Sequence, residues 1–472
     1  MMKRREFLAL SSVAALCIVT GCGGGGGSST PASGIKSKAL PIPELLNPTD
    51  KEGIKHYDLN VQKAKHDFFS GTQTDTFAIN STYLGPTLLM QNGDIVSINY
   101  KNNLGEAVTM HGHGMHLPPS MDGTAHQPIP AGTTWSARYT VNQKACTNWY
   151  HPHTMDKTAE HVYKGLAGLI IIEDSESKTL DLPNRYGIDD IPLILQDRNF
   201  NNGQIDYDPG MRDIMHGYTG DVFIVNGAIE PTLDAEAKEI RFRILNGSNS
   251  SIYELGFSDG RSFKQIATDN AFLESPVEMT RLLLSPAERA EIVVDLSNAL
   301  NQRILLKEFR HGKDFMTINV SQSATAETTL PQHLTALEKY DPSTAVRTRP
   351  FVLSGMMGSF EINGKSMDIN RIDEVVPLGD VEIWEISNDM MVDHNFHIHA
   401  THFMLIERNG SRENVSANER GYKDVVYIPA NESVKFIVKM TDYADAKVPY
   451  MYHCHFLEHE DAGMMGQFVV TV

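Results

Sequence analysis

The sequence has little cysteine, with four residues in a chain of 472. Two of them, Cys17 and Cys22, lie close to the N-terminus, so only Cys146 and Cys454 remain for the rest of the chain. Two cysteines cannot build the disulfide framework that stabilises many secreted domains. Cys454 also lies between two histidines, in the sequence HCH. We therefore predict a fold without disulfides.

Basic residues and long apolar runs are also scarce. Lys and Arg total 41 against 59 Asp and Glu, which gives a formal net charge of −18 and argues against a nucleic-acid-binding protein. Mean hydropathy is −0.28, and the apolar run near the N-terminus is too short to span a bilayer. We predict a soluble multidomain protein whose partners are small cations or neutral molecules, without nucleic acid.

The N-terminus has the features of an export signal. Paired arginines, Arg4 and Arg5, precede a short apolar run, as in twin-arginine signals. The sequence VTGC, ending at Cys22, resembles the lipobox of bacterial lipoproteins, and the glycine run behind it is typical of a flexible tether. We predict a signal over 1–22, a flexible linker over 23–49 and a periplasmic protein with a lipid anchor at Cys22. A cleaved signal with an incidental cysteine is the alternative.

Short alternating or β-branched runs recur between turn signals along the rest of the chain. Examples are DIVSINY from Asp94 and EIRFRIL from Glu239. Such spacing predicts an all-β protein of Greek-key β-sandwich or barrel domains. Polar, turn-rich stretches near 173–187 and 321–349 separate these runs. We predict three domains, at 50–175, 185–320 and 345–472.

Four pairs of histidines have the spacing His-x-His. In extended backbone, residues i and i+2 project to the same face, so each pair presents two imidazoles in one direction. One such pair is more often solvent-facing than ligating, but four pairs from two distant regions predict a polynuclear metal centre shared by the first and third domains. The pairs are His111/His113, His151/His153, His397/His399 and His453/His455.

Cys454 lies between two of these histidines and points to the opposite face of the strand, so one strand serves two sites. His459 and Met464 follow within a short loop, and His394 is available upstream. One Cys, two His and a weak axial Met form the ligand set of a blue-copper electron-transfer centre. Zinc is the alternative metal, but structural zinc sites use several cysteines and no thioether. Met465 is the alternative axial ligand.

The four histidine motifs, in this order, resemble those of the multicopper oxidases, a laccase-like family of three cupredoxin domains. Segments such as LILQDRNFNNGQIDY, FRILNGSNSSIY and LLLSPAERAEIVVDL resemble the middle domain of bacterial copper-efflux oxidases. The resemblance covers nearly all of the mature chain. It implies four copper ions, one of type 1, one of type 2 and two of type 3, with the trinuclear cluster between the first and third domains.

The resemblance also implies a role for each ligand. The type 1 ligands are His394, Cys454, His459 and Met464, the type 2 ligands are His111 and His397, and the type 3 ions are held by His113, His151 and His455 and by His153, His399 and His453. Asp122 and Glu460 resemble the carboxylates that supply protons in the family. Their alternative role is surface solvation in an acidic chain.

The activity that the resemblance implies is one-electron oxidation of a substrate coupled to four-electron reduction of dioxygen to water. Electrons pass from the Cys454 thiolate to the adjoining histidines. The expected reductants are cuprous ion, phenolic-type organic molecules or both, with a role in copper tolerance, and we expect a monomer. A non-catalytic periplasmic copper-sequestering protein is the alternative. A copper nitrite reductase fits less well, because it needs no cluster of eight histidines.

A candidate cuprous-ion site precedes His394. Thioethers favour monovalent copper, and a nearby carboxylate stabilises the oxidised ion. The predicted substrate residues are Asp389, Met390, Met391, Met356 and Met357. Packing of these methionines in the core is the alternative.

Three features depart from the family pattern. Gly112 stands where a bulky aromatic residue is common, and Asn395 stands where a proline is usual. Only SGMMGSF, residues 354–360, remains where copper-efflux relatives carry a longer methionine-rich insertion. A pocket open to organic reductants is therefore an alternative to a dedicated copper site.

Overall fold

The computed structural model describes residues 38–324, 328–356 and 358–472, and at Met356 it describes the backbone alone. The predicted signal over 1–22, including Cys22, lies outside the described residues, as does Met357. Within the described ranges the strands form six sheets, in three pairs that follow one another along the chain. None of the described helices has the length and apolar character needed to cross a membrane.

The first sheet pair uses ten strands. Its two sheets have the orders β1-β5-β10-β9-β7 and β2-β3-β6-β8, with β4 paired to β3. Tyr57 and Ile98 from one sheet share a core with Leu88 and Ile170 from the other. The strands are β1 (Leu45–Leu46), β2 (Thr49–Lys51), β3 (Ile54–His66), β4 (Thr74–Ile79), β5 (Thr87–Gln91), β6 (Ile95–Asn103), β7 (His111–His113), β8 (Thr134–Thr140), β9 (Cys146–His151) and β10 (Gly168–Glu173).

The second sheet pair combines a large sheet, β14-β13-β11-β16-β21-β18-β19 with β12 paired to β11, and a smaller one, β15-β23-β22-β17-β20. Ile191 and Phe242 of the large sheet pack with Leu255 and Ile304 of the smaller. The strands are β11 (Asp190–Asn201), β12 (Gln204–Asp206), β13 (Val222–Val225), β14 (Ala228–Ile229), β15 (Thr232–Glu236), β16 (Glu239–Asn246), β17 (Tyr253–Phe257), β18 (Phe263–Ala267), β19 (Phe272–Met279), β20 (Leu282–Leu284), β21 (Arg289–Asp295), β22 (Arg303–Glu308) and β23 (Lys313–Gln322).

The third sheet pair has the orders β25-β24-β27-β31-β29 and β26-β33-β32-β28-β30. Alternate residues of β27 are buried, including Trp384 and Ile386, as expected for a strand with one face on a core. The strands are β24 (Arg347–Met356), β25 (Ser359–Ile362), β26 (Glu374–Pro377), β27 (Val381–Asn388), β28 (His394–Ile398), β29 (Phe403–Arg408), β30 (Val425–Ile428), β31 (Ser433–Lys439), β32 (Asp445–His453) and β33 (Met465–Thr471).

Helical segments are few and short among the described residues. The α-helices are α1 (Thr158–Tyr163), α2 (Met211–His216) and α3 (Leu457–Asp461). Five 3₁₀ turns complete the set, at Pro119–Met121, Ser177–Thr179, Pro342–Thr344, Arg412–Asn414 and Ala417–Glu419. The all-β, cupredoxin-like fold class predicted from the sequence is confirmed. The exact boundaries of the three domains stay a prediction.

The end of the predicted flexible linker is ordered. Residues 38–49 contain β1, which pairs with β5, and the buried Leu40, whose backbone N–H donates to the carbonyl of Thr232 at 2.8 Å. Leu40 packs into the core of the second sheet pair, so burial of an apolar side chain fixes this segment. The first part of the linker, 23–37, lies outside the described residues.

Candidate metal centre

The four histidine pairs meet in one buried region between the first and third sheet pairs. Strand β7 lies beside β9 with His111 opposite His151, and β28 lies beside β32 with His397 opposite His453. Cross-strand partners project to the same face, so each strand pair presents its histidines together. All eight side chains are buried.

Two groups of three histidines bring their ring nitrogens together. In the first group, Nε2 of His453 lies 3.1 Å from Nε2 of His399 and 3.2 Å from Nε2 of His153. In the second, Nε2 of His151 lies 3.4 Å from Nδ1 of His113 and 3.4 Å from Nε2 of His455. Each group therefore directs three nitrogen lone pairs into a small volume, as a metal ion requires.

The remaining two histidines, His111 and His397, each have a buried Nε2 atom without a hydrogen-bond partner. Their rings lie 6.1 Å apart, and the His111 ring stacks on His399 at 4.1 Å. A buried imidazole nitrogen without a partner is costly unless it binds something. This pair therefore offers a further place for an ion beside the two groups of three.

Hydrogen bonds on the outer ring nitrogens fix the orientation of four of these histidines. Each donates from Nδ1 to a backbone carbonyl, which keeps the proton on that nitrogen and leaves a lone pair on Nε2. The bonds are His111 to Asp122 at 2.7 Å, His397 to Asp424 at 2.8 Å, His151 to Pro152 at 2.8 Å and His453 to Cys454 at 3.0 Å.

Six of the eight histidines are also held in the neutral form that metal binding needs. Burial lowers the pKa of His153 to about 4, with Glu460 acting in the opposite direction. Burial, followed by repulsion from neighbouring rings, lowers the pKa well below its usual value in His113, His151, His397, His399 and His455.

Both predicted carboxylates contact this centre. Asp122 Oδ2 lies 2.8 Å from Nδ1 of His399, and Glu460 Oε2 lies 3.1 Å from Nδ1 of His453. Both are fully buried, so the surface-solvation alternative is wrong for them. Burial raises the pKa of Glu460, but attraction to the adjoining histidines when these are protonated, His453 first, outweighs it and lowers that pKa to about 2.

Asp122 is positioned by the glycine that follows it. Gly123 has a φ of +74°, and a Cβ there would lie 1.8 Å from the carbonyl oxygen of Met110. Only glycine allows this close approach. The loop can therefore bring Asp122 against His111, whose Nδ1 lies 3.1 Å from Asp122 Oδ1.

Sequence reasoning missed a third carboxylate, Asp424. Its Oδ1 accepts a hydrogen bond from Nε2 of His113 at 3.0 Å, and its two oxygens face the guanidinium of Arg289 from the second sheet pair. Neither residue belongs to a histidine motif. Only the packing of the second sheet pair against the centre reveals them.

A second cluster forms around Cys454, which directly follows the last residue of β32. The Cys454 sulfur lies 3.4 Å from Nδ1 of His394 and 3.8 Å from Nδ1 of His459, and these two nitrogens are 3.0 Å apart. All three side chains are buried. Met464 is also buried, and its carbonyl accepts the backbone N–H of Cys454 at 3.1 Å.

Three of the predicted substrate residues lie in different environments, whereas the Met356 side chain and Met357 are outside the part of the chain that the structure describes. Met391 is 84% exposed and lines a surface cavity of about 290 Å³ together with Asp393 and Phe456. Met390 packs in the core, with its sulfur 3.2 Å from Nε2 of His394. The carboxylate that lines the cavity is Asp393, whereas Asp389 is exposed nearby. Helix α2, which sequence reasoning missed, contributes His216 to the same cavity.

Two family models described as multicopper oxidase match residues 60–177 and 326–472. The chain belongs to the multicopper oxidase family. This confirms the resemblance seen in the sequence. Membership implies an oxidoreductase that binds copper and uses dioxygen and a reductant. The unpartnered Nε2 atoms of His111 and His397 and the converging neutral imidazoles fit copper, which accepts nitrogen and sulfur ligands.

Several known proteins resemble the chain over almost its whole length. Multicopper oxidase mco of Staphylococcus aureus is 37% identical over 437 residues, 92% of each chain. The cell division protein FtsP of Xenorhabdus nematophila is 34% identical over 100% of this chain and 99% of its own. The solved laccase from Pediococcus acidilactici is 34% identical, covers 93% of this chain and 95% of its own, and has a TM-score of 0.87.

Proposed function

We propose that this protein is a four-copper oxidase that takes single electrons from cuprous ion or a small organic reductant and reduces dioxygen to water. One observation carries the proposal. The Cys454 sulfur belongs to one cluster, and the flanking His453 and His455 belong to the other. Two redox sites joined by one peptide segment suit electron transfer, whereas a storage protein would need no such link.

The proposed ion sites follow the nitrogen groups. His111 and His397 would hold a type 2 ion. His394, Cys454 and His459 with Met464 would hold a type 1 ion, and the two type 3 ions would be held by His113, His151 and His455 and by His153, His399 and His453.

Strand pairing favours Met464 over Met465 as the axial ligand. Met465 pairs with His453 across β32 and β33, so both side chains project to the face of the trinuclear centre. Cys454 projects to the opposite face, and it shares a core cluster with Met464. Met464 is therefore on the side where the sulfur lies.

When bound, the copper ions would supply the one-electron chemistry by which four electrons and four protons convert dioxygen to two waters. The protein positions and isolates them. The Cys454–His455 peptide gives the electron a short covalent route, and burial of every ligand excludes competing reactions with solvent. Asp122 Oδ2 and Glu460 Oε2 lie 2.8 Å and 3.1 Å from ring nitrogens of the centre, so they are placed to relay protons to it.

We expect Glu460→Gln to lower oxidase turnover by about 100-fold or more, the usual loss for a group that transfers protons. The amide keeps the size of the side chain, so the type 1 absorption should remain. Oxygen uptake and visible absorption of the copper-loaded variant check this. Glu458→Gln is the matched control, because Glu458 lies on the same helix but accepts hydrogen bonds from Ser250 and Asn249. Equal losses in both variants would argue against a proton-transfer role.

Cuprous ion is the substrate that we propose first, because Met391 and Asp393 line the cavity that reaches Phe456 beside Cys454. We expect the Asp393→Ala/Met391→Leu double variant to lose about tenfold in kcat/KM with cuprous ion, ~1.4 kcal/mol. Its kcat/KM with an organic dye should change little. Met279→Leu, which removes a thioether from a different cavity, is the control. Equal losses with both substrates would favour a general laccase-like oxidase.

Copper tolerance is the role that cuprous-ion oxidation would serve. A second candidate role is a non-catalytic one, such as copper sequestration, and the relatives named cell division protein FtsP keep it under consideration. The ten histidines and Cys454 assembled in this chain favour turnover, because sequestration needs no link between two sites. Oxygen consumption by the copper-loaded protein separates the two roles.

The leader supports an exported, lipid-anchored protein of the periplasm. Arg4 and Arg5 precede its apolar run, and VTGC ends at Cys22. We expect Cys22→Ala to move the protein from the membrane fraction to the soluble periplasmic fraction, because the acylation site is lost. Cys146→Ala is the control. Identical fractionation of Cys22→Ala and the unaltered protein would argue against the lipid anchor and favour a signal that is simply cleaved.

A further inference from the structure

Arg289 begins strand β21 of the second sheet pair, which supplies none of the proposed copper ligands. Its fully buried side chain reaches the carboxylate of Asp424, which lies just before β30 in the third sheet pair. Two bonds join them, from Nη1 to Oδ1 at 2.7 Å and from Nη2 to Oδ2 at 2.5 Å. A bidentate pair of this kind fixes both the position and the plane of the carboxylate.

The Arg289 guanidinium also bonds to the other two sheet pairs. Its Nε donates to the carbonyl of Thr147 at 3.1 Å, and its Nη2 donates to Asn148 Oδ1 at 2.8 Å, both on β9. On its own side, Nη1 donates to the carbonyl of Ala287, two residues before β21, at 3.0 Å. A buried cation is stable only where its N–H groups are bonded, and all three nitrogens of this one are. Arg289 therefore holds Asp424 against the first and second sheet pairs.

Asp424 in turn contacts histidines from two sheet pairs. Its Oδ1 accepts from Nε2 of His113 at 3.0 Å, and its backbone carbonyl accepts from Nδ1 of His397 at 2.8 Å. The first bond keeps the His113 proton on Nε2 and leaves the lone pair on Nδ1, the atom that lies 3.4 Å from Nε2 of His151. The four histidines that donate from Nδ1 to backbone carbonyls have the opposite arrangement. Asp424 therefore selects for His113 the tautomer that those neighbours do not have.

The glycine after His113 allows this close approach. Gly114 has a φ of +78°, and a Cβ there would lie 2.6 Å from Asp424 Oδ2 and 2.7 Å from Arg289 Nη2. Any other residue at this position would displace the pair from the centre. The second glycine of the sequence HGHG therefore has a structural reason that the histidine spacing alone does not give.

We propose that Arg289 is a positioning residue that fixes the Asp424 carboxylate, and that Asp424 holds His113 with its proton on Nε2 and its Nδ1 lone pair directed at the nitrogen group of His151 and His455. Through this pair, the second sheet pair controls the assembly of the centre. The inference rests on the proposed function, since it needs copper at His113. The other tautomer would present an N–H in place of the lone pair, and an N–H cannot bind a metal ion.

A cycle of variants tests whether Arg289 acts through Asp424. We expect Arg289→Met and Asp424→Leu each to lose copper from the histidine centre and about 10- to 100-fold in turnover, the usual loss for a residue that supports a metal ligand, with the blue band retained. The combined variant should lose no more than Asp424→Leu alone. It also removes both charges, so it covers the case in which a single variant leaves an unpaired buried charge and does not fold. Additive losses would overturn the inference.

Arg243→Met is the matched control. Arg243 is also buried, and its partners among the described residues are the carboxylates of Asp190 at 2.8 Å and Glu291 at 3.0 Å and the hydroxyl of Thr147 at 2.9 Å. It therefore joins the first two sheet pairs as Arg289 does, but it is not bonded to Asp424. We expect it to lose stability while keeping four copper ions. Equal loss of copper in Arg243→Met and Arg289→Met would overturn the inference.

Nuclear magnetic resonance reads the tautomer directly. The copper-loaded protein is labelled with ¹⁵N-histidine and reduced without oxygen, which makes its ions cuprous and diamagnetic, and the His113 signals are identified by comparison with His113→Gln. We expect a proton on Nε2 of His113 in the unaltered protein and in Asp424→Asn, whose amide oxygen still accepts a hydrogen bond. That signal should be lost or shifted in Asp424→Leu.

Two results of this measurement would overturn the inference: a proton on Nδ1 of His113 in the unaltered protein, or the same His113 spectrum in Asp424→Leu. With normal oxygen uptake by the unaltered protein, either result leaves the proposed function intact. An unaltered protein that binds no copper at the histidine centre would overturn both.

Discussion

Replacement of Cys454 by Ser is expected to abolish the intense blue absorption and the oxidase turnover together while the protein stays folded. The absorption of a blue-copper site comes from charge transfer between thiolate and copper, and a hydroxyl cannot replace it. The described residues include two cysteines, Cys146 and Cys454, and Cys454 is the one that lies in the cluster with His394 and His459. Visible absorption and oxygen uptake of the copper-loaded variant measure both losses.

Cys146→Ser is the matched control for this variant. Cys146 is also buried, and burial raises its pKa, but among the described residues it belongs to no group of metal-ligating side chains. Both changes place a hydroxyl in a buried site and should destabilise the fold by about 1–3 kcal/mol. The control should therefore lose stability without losing colour. A blue Cys454→Ser protein, or a colourless Cys146→Ser protein, would refute the type 1 assignment.

Replacement of His151 by Gln is expected to impair the centre formed by the eight paired histidines while the Cys454 cluster stays intact. His151 ends β9 in the first sheet pair, and its Nε2 faces Nδ1 of His113 and Nε2 of His455. Loss of a supporting residue around a metal typically costs 10- to 100-fold in affinity, and loss of a ligand costs more. We expect fewer than four copper ions per chain and a loss of turnover of about 100-fold or more, with the blue band retained.

The control for His151→Gln is His161→Gln. His161 is fully buried on α1, yet it lies in none of the described metal-ligating groups. It should keep the copper content of the unaltered protein. Copper analysis together with visible and paramagnetic resonance spectra checks both variants. A His151→Gln protein that still binds four copper ions and turns over normally would contradict the nitrogen group of which it is part.

Strand periodicity explains how much of the site the sequence reveals. The projection of residues i and i+2 to one face pairs the histidines and sends Cys454 to the opposite face, and the structure has both features. The buried, alternating strands likewise predict the fold class. These are local properties, so a single sequence contains them.

Long-range packing explains what the sequence does not reveal. Asp424 and Arg289 are 135 positions apart and meet only because the second sheet pair packs against the centre. The carboxylate that lines the cavity beside Met391 is Asp393 rather than Asp389, because the backbone turns between Asn388 and His394. Residues 38–49 resemble a linker in composition, yet Leu40 packs into a core about 190 residues further along the chain. No local pattern signals these contacts.

The oxygen electrode tests the central claim most directly. The copper-loaded protein is mixed with air-saturated buffer and a one-electron reductant, first cuprous ion held by a weak chelator and then an organic dye, and oxygen uptake is compared with the reductant consumed. The four-copper oxidase that we propose consumes one dioxygen for every four electrons and releases no hydrogen peroxide. Copper uptake without oxygen consumption, from a protein that contains all four ions, would contradict the proposal and leave a copper-sequestering protein.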